Sequence, residues 1–203
     1  MKKCIMAALA LPVCLSALVY LTSCMDTDDG INPLILGLAR QPAVYLFQVS
    51  ASHNGDFLDG ASARADLDQL ALTAYQANYS NLGCTEVHAF ISVAADDEIR
   101  DLAIPDDLPI KSPNGTVIAD DRSDLLDASI DISLDDAGVV DEVVDNYWTG
   151  ATSDGGLHGW NCGSWANSAT NGTIGSSSST TATWLINIAI SCGQDHGLVG
   201  VCW

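Results

Sequence analysis

The chain has 203 residues, with 26 acidic and seven basic side chains and a formal net charge of −19. Such a field repels nucleic acid, heparin-like polyanions and anionic lipid headgroups, and favours solubility, cations and basic partners. A hydrophobic fraction of 48% and five tryptophans exclude the apolar-poor composition of disordered acidic chains, so a folded domain is expected.

Met1-Lys2-Lys3 is a short cationic start, followed by an uncharged apolar run over residues 4–21. That run is just long enough to span a bilayer, which makes an uncleaved anchor the rival reading. Leu21-Thr22-Ser23-Cys24 then sets a bulky aliphatic at −3, small residues at −2 and −1, and cysteine at +1. Secretory signals end in a small-x-small site; the cysteine here resembles the lipobox read by the bacterial lipoprotein signal peptidase. The resemblance implies a signal peptide over 1–23 and acylation of Cys24, with more than one chain because a single chain binds only marginally. It implies a lipid-anchored protein of the bacterial cell envelope. Met25 carries no aspartate retention signal, which points to the outer membrane or cell surface. Residues 24–203 keep all 26 acidic side chains against five basic ones, a net charge of −21.

Residues 24–43 read as the acylated cysteine and a flexible tether, with Asp26, Asp28, Asp29, Gly30, Asn32, Pro33 and Pro42 around the apolar Leu34–Leu38. Asp26-x-Asp28 lacks the further ligands and closing glutamate of a calcium loop. The domain is expected over 44–203. Ala43–Ser50, β-branched and aromatic, predicts a strand, and His53-Asn-Gly-Asp56 a turn. Ser62 predicts the cap of a helix whose apolar face runs through Ala65, Leu67, Leu70, Ala71, Ala74 and Tyr75. His88–Ser92 reads as a buried strand, Ala94–Leu102 as a short acidic helix ended by Pro105, and Ser123–Ala128 as a helical turn. Residues 96–145 hold 16 acidic and three basic side chains, a solvated face or a weak cation surface. Tyr147–Thr149 predicts a strand, Gly172–Thr183 an exposed loop, and Thr183–Ser191 and Leu198–Cys202 the closing strands.

With Cys24 acylated, Cys84, Cys162, Cys192 and Cys202 remain. An even number in an exported chain predicts two disulfides, with three pairings open. Zinc is the rival, but no C-x-x-C pair occurs and His53, His88, His158 and His196 are scattered.

The order His88–Ser92, Leu108-Pro-Ile110, Asn114–Ile118, Leu125-Leu126 resembles the middle of collagen endostatin domains. Tyr147–Gly150, Asn161–Trp165, Gly175, Ser191-Cys192 and Val199–Cys202 resemble still more closely a family of bacterial lipoproteins of unknown function, prominent in spirochaetes, that share the endostatin-like fold. Val49–Gly55 followed by Ala63–Asp66 is similar to that family's strand, turn and helix entry. The resemblance spans roughly 44–203. It implies an α+β, C-type-lectin-like (endostatin-like) domain, two helices packed on twisted antiparallel sheets, with the first and last strands adjacent. It also implies nested disulfides, Cys84–Cys202 and Cys162–Cys192. In relatives the first cysteine lies in the first helix, where this chain has Leu67–Leu70.

A lectin-like fold raises calcium-dependent sugar binding, which resembles Glu-Pro-Asn or Gln-Pro-Asp triplets followed by Trp-Asn-Asp. Here Ser112-Pro113-Asn114 and Trp160-Asn161-Cys162 lack the carboxylates. No resident cofactor or metal is expected, calcium being the lesser alternative. Endostatin's basic heparin face and N-terminal zinc histidines have no counterpart. No Gly-x-Ser-x-Gly elbow occurs, and Asp195-His196 reads as a turn into the last strand rather than an acid/base pair. The fold resembles that of sulfatase-modifying enzymes, which need reactive cysteines. Trp148, Trp165, Trp184 and Trp203 read as core or loop anchors. Trp160, in the glycine-rich segment 155–163, marks the candidate binding surface with His158 and Asn161. The chain is therefore expected to be a non-enzymatic, membrane-anchored binding or adhesion module for a protein or glycan. The alternative is a structural envelope lipoprotein contacting another membrane protein.

Overall fold

The computed structural model describes residues 41–58, 62–141 and 144–203. The signal peptide, Cys24 and the tether as far as residue 40 lie outside the described residues. The unit from Pro42 to Trp203 is a mixed α+β structure with one eight-stranded sheet, three helical segments and two disulfides.

The centre of the sheet is β1 (Val44–His53) paired antiparallel with β8 (His196–Cys202), from Tyr45↔Cys202 to His53↔His196. Both strands are apolar at consecutive positions because both faces are covered. Val44, Leu46, Val199 and Val201 face one core with Phe90, Ile110, Tyr147 and Trp184. Tyr45, Phe47, Leu198 and Cys202 face the other with Leu67, Tyr75, Trp148 and Trp165. Gly200 belongs to this fit: a Cβ there would stand 2.5 Å from the Phe47 ring.

α1 (Ala63–Asn78) starts where sequence placed it. The Ser62 hydroxyl accepts from the Ala65 N–H at 3.2 Å, and Ala63, Leu67, Ala71 and Tyr75 form the buried stripe. It packs on β2 (Val87–Ala89), which pairs with β8. β3 (Ile110–Lys111) and β4 (Val117–Ala119) form one end of the sheet beside β1. On the other side of β8 come β5 (Asn146–Trp148), β6 (Asn171–Ser176) and, as the edge, β7 (Ile188–Ser191). The pairs β1–β3 and β5–β8 are parallel, so the sheet is mixed rather than antiparallel throughout.

Several expectations are corrected. The helix expected over 94–102 is only a 3-10 turn at Ile99–Asp101, because Glu98 is spent on bonds to the Leu157 N–H and Arg100. The turn expected over 123–128 is α2, Arg122–Leu125, capped by Asp121. Among the described residues α1 is the one helix longer than a single turn, where two packed helices were expected. The segment expected as an exposed loop over 172–183 contains β6, with Gly172, Thr173, Ile174 and Gly175 buried. Residues 182–184 form a 3-10 turn, so the strand expected from Thr183 starts only at Ile188. Among the described residues no helix is long and apolar enough to cross a membrane.

Candidate binding face

Cys84 pairs with Cys202 and Cys162 with Cys192. The second bridge anchors an uncommon piece of backbone. Cys162, Gly163, Ser164 and Trp165 have φ of 55°, 62°, 59° and 64°, one left-handed turn closed by Trp165 N–H to Asn161 O (2.9 Å) and Ala166 N–H to Cys162 O (3.2 Å). Left-handed helix costs an L-residue roughly 1–2 kcal/mol. Offsetting contacts are visible: Cys162 and Trp165 are fully buried, the Trp165 Nε1–H donates to Ser92 O at 2.9 Å, and the Asn161 side chain accepts from Ser164 N–H at 3.1 Å. Gly172 lets the bridge pass, since a Cβ there would lie 2.5 Å from Cys162 Sγ.

Just before this turn the chain runs beside β6. The Thr173 N–H donates to Trp160 O at 2.8 Å, and Asn161 bridges Gly172 antiparallel. On its other side β6 pairs with β7 in the register Asn171↔Ser191 and Thr173↔Ala189. Antiparallel partners share a face, as do alternate residues of one strand. One sheet face therefore carries His158, Trp160, Asn171, Thr173, Ala189 and Ser191. Trp160 is 52% exposed, Asn171 and Ser191 are exposed, and Thr173 is buried, its hydroxyl 3.0 Å from His158 Nδ1 and from the Trp160 carbonyl. The His158 and Trp160 rings lie 5.2 Å apart.

His158 Nδ1 accepts from the Trp160 N–H at 3.2 Å and lies 3.0 Å from Thr173 Oγ1. A ring nitrogen that accepts carries no proton, so Nε2 bears it and remains a donor. The Trp160 backbone is thus held at both its N–H and its carbonyl.

The six residues of the face carry no formal charge, although beside His158 Glu98 accepts from the Leu157 N–H at 2.8 Å and the Arg100 guanidinium lies against Gly156. Between Asp154 and Asp195 the chain has no aspartate, glutamate, lysine or arginine, whereas 96–145 holds 16 acidic side chains. Many of those carboxylates terminate turns: Asp121 accepts from the Ser123 and Asp124 N–H groups (2.7 and 3.0 Å), Asp124 from Asp120, Asp127 from Ser129. Among the described residues no three His, Cys, Asp or Glu side chains converge on a point that could hold a metal.

Other sequence candidates sit elsewhere. Asn161 is turned to its cap rather than outward. Asn114 closes its own loop, accepting from Thr116 N–H and Ser112 Oγ–H and donating to Ala137 O. Asp195 is exposed, while His196 packs edge-on against Trp148 at 4.9 Å, its Nε2 without a hydrogen-bond partner among the described residues. Burial holds the His196 pKa below the usual imidazole value. A cleft of about 540 Å³ between Leu58, Ser62, Val93, Asp97 and Ser164 contains Arg64, but that guanidinium is committed. It donates to both Asp97 oxygens (2.8 and 3.0 Å), to Ala89 O (2.9 Å) and to Ile91 O (2.7 Å). Trp160 and His158 are the pair expected from sequence to mark a binding surface; Asn171 and Ser191, which sequence did not single out, are brought to the same sheet face by strand register.

No family model matches the chain, and no curated protein matches it.

Proposed function

We propose that this chain is a membrane-anchored envelope lipoprotein, acylated at Cys24, that displays a non-enzymatic binding or adhesion domain of the endostatin-like, C-type-lectin-like kind. The observation that carries the binding role is the uncharged sheet face around the half-exposed Trp160, set in an otherwise strongly acidic chain. Charge-depleted patches with an exposed aromatic are where partners dock. The anchoring half rests on the lipobox-like Leu21–Cys24 and the tether after it.

Two measurements test the two halves. Cells fed an alkyne-bearing palmitate should label the wild-type chain and not Cys24→Ser, and protease added to intact cells should remove the domain. An unlabelled wild-type chain overturns the anchor. A photo-crosslinking amino acid placed at position 159, exposed beside an intact Trp160, should capture an external ligand; a chain left uncaptured under every condition of growth overturns the binding role.

A further inference from the structure

We infer that β7 is the pairing edge for a second copy of this chain, the two sheets joining antiparallel through their β7 strands across a two-fold axis at Ala189. The inference goes beyond the binding role proposed above and does not rest on it.

The register of β6 and β7 decides which backbone groups are open. Cys192 N–H donates to Thr170 O at 2.8 Å, so the pairs that exchange hydrogen bonds across these strands are the alternate ones, Ile190↔Gly172 and Ile188↔Ile174. Thr173 follows the same alternation: its N–H is bonded to Trp160 and its carbonyl to Thr149 and Gly150, on the side away from β7. Its cross-strand neighbour Ala189, and Ser191 beyond it, therefore turn their N–H and C=O groups outward. The Ser191 carbonyl accepts from Gln194 N–H at 3.0 Å. Among the described residues no hydrogen bond reaches the Ala189 N–H, the Ala189 C=O or the Ser191 N–H. β7 closes this end of the sheet, and open backbone groups on an edge are a template for another strand. At the other end β4 is covered, since Asp131 N–H donates to Ile118 O at 2.9 Å.

The side chains select which strand fits. Ile188 is 56% exposed and Ile190 half-buried; both lie on one face, with Asn187, Ala189 and Ser191 on the other. With Ala189 opposite its own copy, Ile188 of each chain stands opposite Ile190 of the other, and Asn187 opposite Ser191. The strand is its own complement, apolar to apolar and polar to polar, as an isologous contact demands.

Charge places the contact at the same edge. Two chains of formal net charge −19 repel each other, and β6 and β7 carry no charged side chain and join no ion pair among the described residues. Glu98, Arg100 and Asp154 meet the chain at Gly156 and Leu157, beyond β6 from this edge. β7 also lacks the lysine, proline or covering loop that blunts other edges. Joined in this way, the two copies present their Trp160 faces on the same side of one continuous sheet.

The test uses the full chain with Cys24 intact, in detergent micelles. Ala189→Cys sets two cysteines with Cα atoms about 5.5 Å apart at the axis, within disulfide reach. Mild oxidation should turn the larger part of this variant into a covalent dimer linked at position 189, while Gln76→Cys, exposed on α1, stays monomeric. Adding Ile188→Lys should lower the dimer yield at least about fivefold, because an edge lysine opposes pairing. Raising NaCl from about 0.05 to about 0.5 M should increase the yield by screening the repulsion. In the wild-type chain, hydrogen exchange at the Ala189 and Ser191 amides should slow at least about threefold from dilute to concentrated protein, a readout that needs no variant. Equal dimer from Gln76→Cys, a yield indifferent to Ile188→Lys or reduced by salt, or exchange at 189 and 191 independent of concentration overturns the inference. Capture of a different protein at position 189 in cells also overturns it, since the edge then belongs to a foreign strand.

Discussion

At the scale of single residues, two histidines respond to pH in opposite senses. His88 Nδ1 lies 3.0 Å from Asp68 Oδ2, its Nε2 3.9 Å from Glu86, and its ring stacks on Trp203. The bond to Asp68 raises the His88 pKa, against burial and the nearby Arg64. Burial pushes the Asp68 carboxyl up, but the bonds from His88 and the Ala89 N–H, with Arg64 close by, hold it below its usual value. A raised histidine contributes stability that is complete below its unfolded pKa of about 6.5 and lost as pH rises through the folded one. His196, lowered by burial, does the reverse: stability is lost as pH falls below about 6.5 towards its folded value. Urea midpoints between about pH 5 and 8 should therefore separate them. Relative to wild type, His88→Gln should tilt the profile towards greater stability at high pH, and His196→Gln towards greater stability at low pH. Parallel profiles for all three proteins would show that neither contact matters.

At the scale of elements, the left-handed turn is the feature most at odds with local preference. Ser164 has φ 59° on an exposed position, where glycine carries no Cβ penalty. Ser164→Gly should raise the unfolding free energy by about 1 kcal/mol, the strain relieved less the entropy gained by the unfolded chain. Ser164→Val should lower it, and urea titration of both variants checks the order. This turn was hidden in the sequence, since Asn161-Cys-Gly-Ser-Trp165 carries glycine at only one of its four left-handed positions. β6 was hidden for a different reason. Its glycines and serines are the composition of an exposed loop, yet Gly172 and Gly175 are small so that Cys162 and the Trp184 carbonyl can press against the strand. By contrast β1, α1 and β8 were legible because burial on both faces, or on one stripe, writes directly into residue type. Of the candidate face, the exposed indole was legible from its glycine-rich setting; the polar residues around it were not, because cross-strand neighbours far apart in sequence meet only through register.

At the scale of the whole domain, the two disulfides divide the structure by accessibility. Cys162 and Cys192 are both fully buried, with Gly55 and Gly172 packed against them, whereas Cys84 is only partly buried opposite the buried Cys202. Thiol–disulfide exchange needs an attacking thiolate to reach a sulfur, so the outer bridge should open first. Cys84–Cys202 ties the end of the α1 region to the last strand across a separation of 118 residues, and Cys162–Cys192 closes 30. The chain-entropy model assigns them at most roughly 5 and 3.5 kcal/mol. Opening the outer bridge should therefore cost much stability while leaving the left-handed turn, and the Trp160 platform built on it, still fastened. The measurement is timed reduction by dithiothreitol with alkylation and peptide mapping, alongside urea titration of each intermediate. Label should enter Cys84 and Cys202 first, in a chain that is less stable yet still folded. Label entering Cys162 and Cys192 first, or all four together, would mean that the domain opens globally before either bridge is reached.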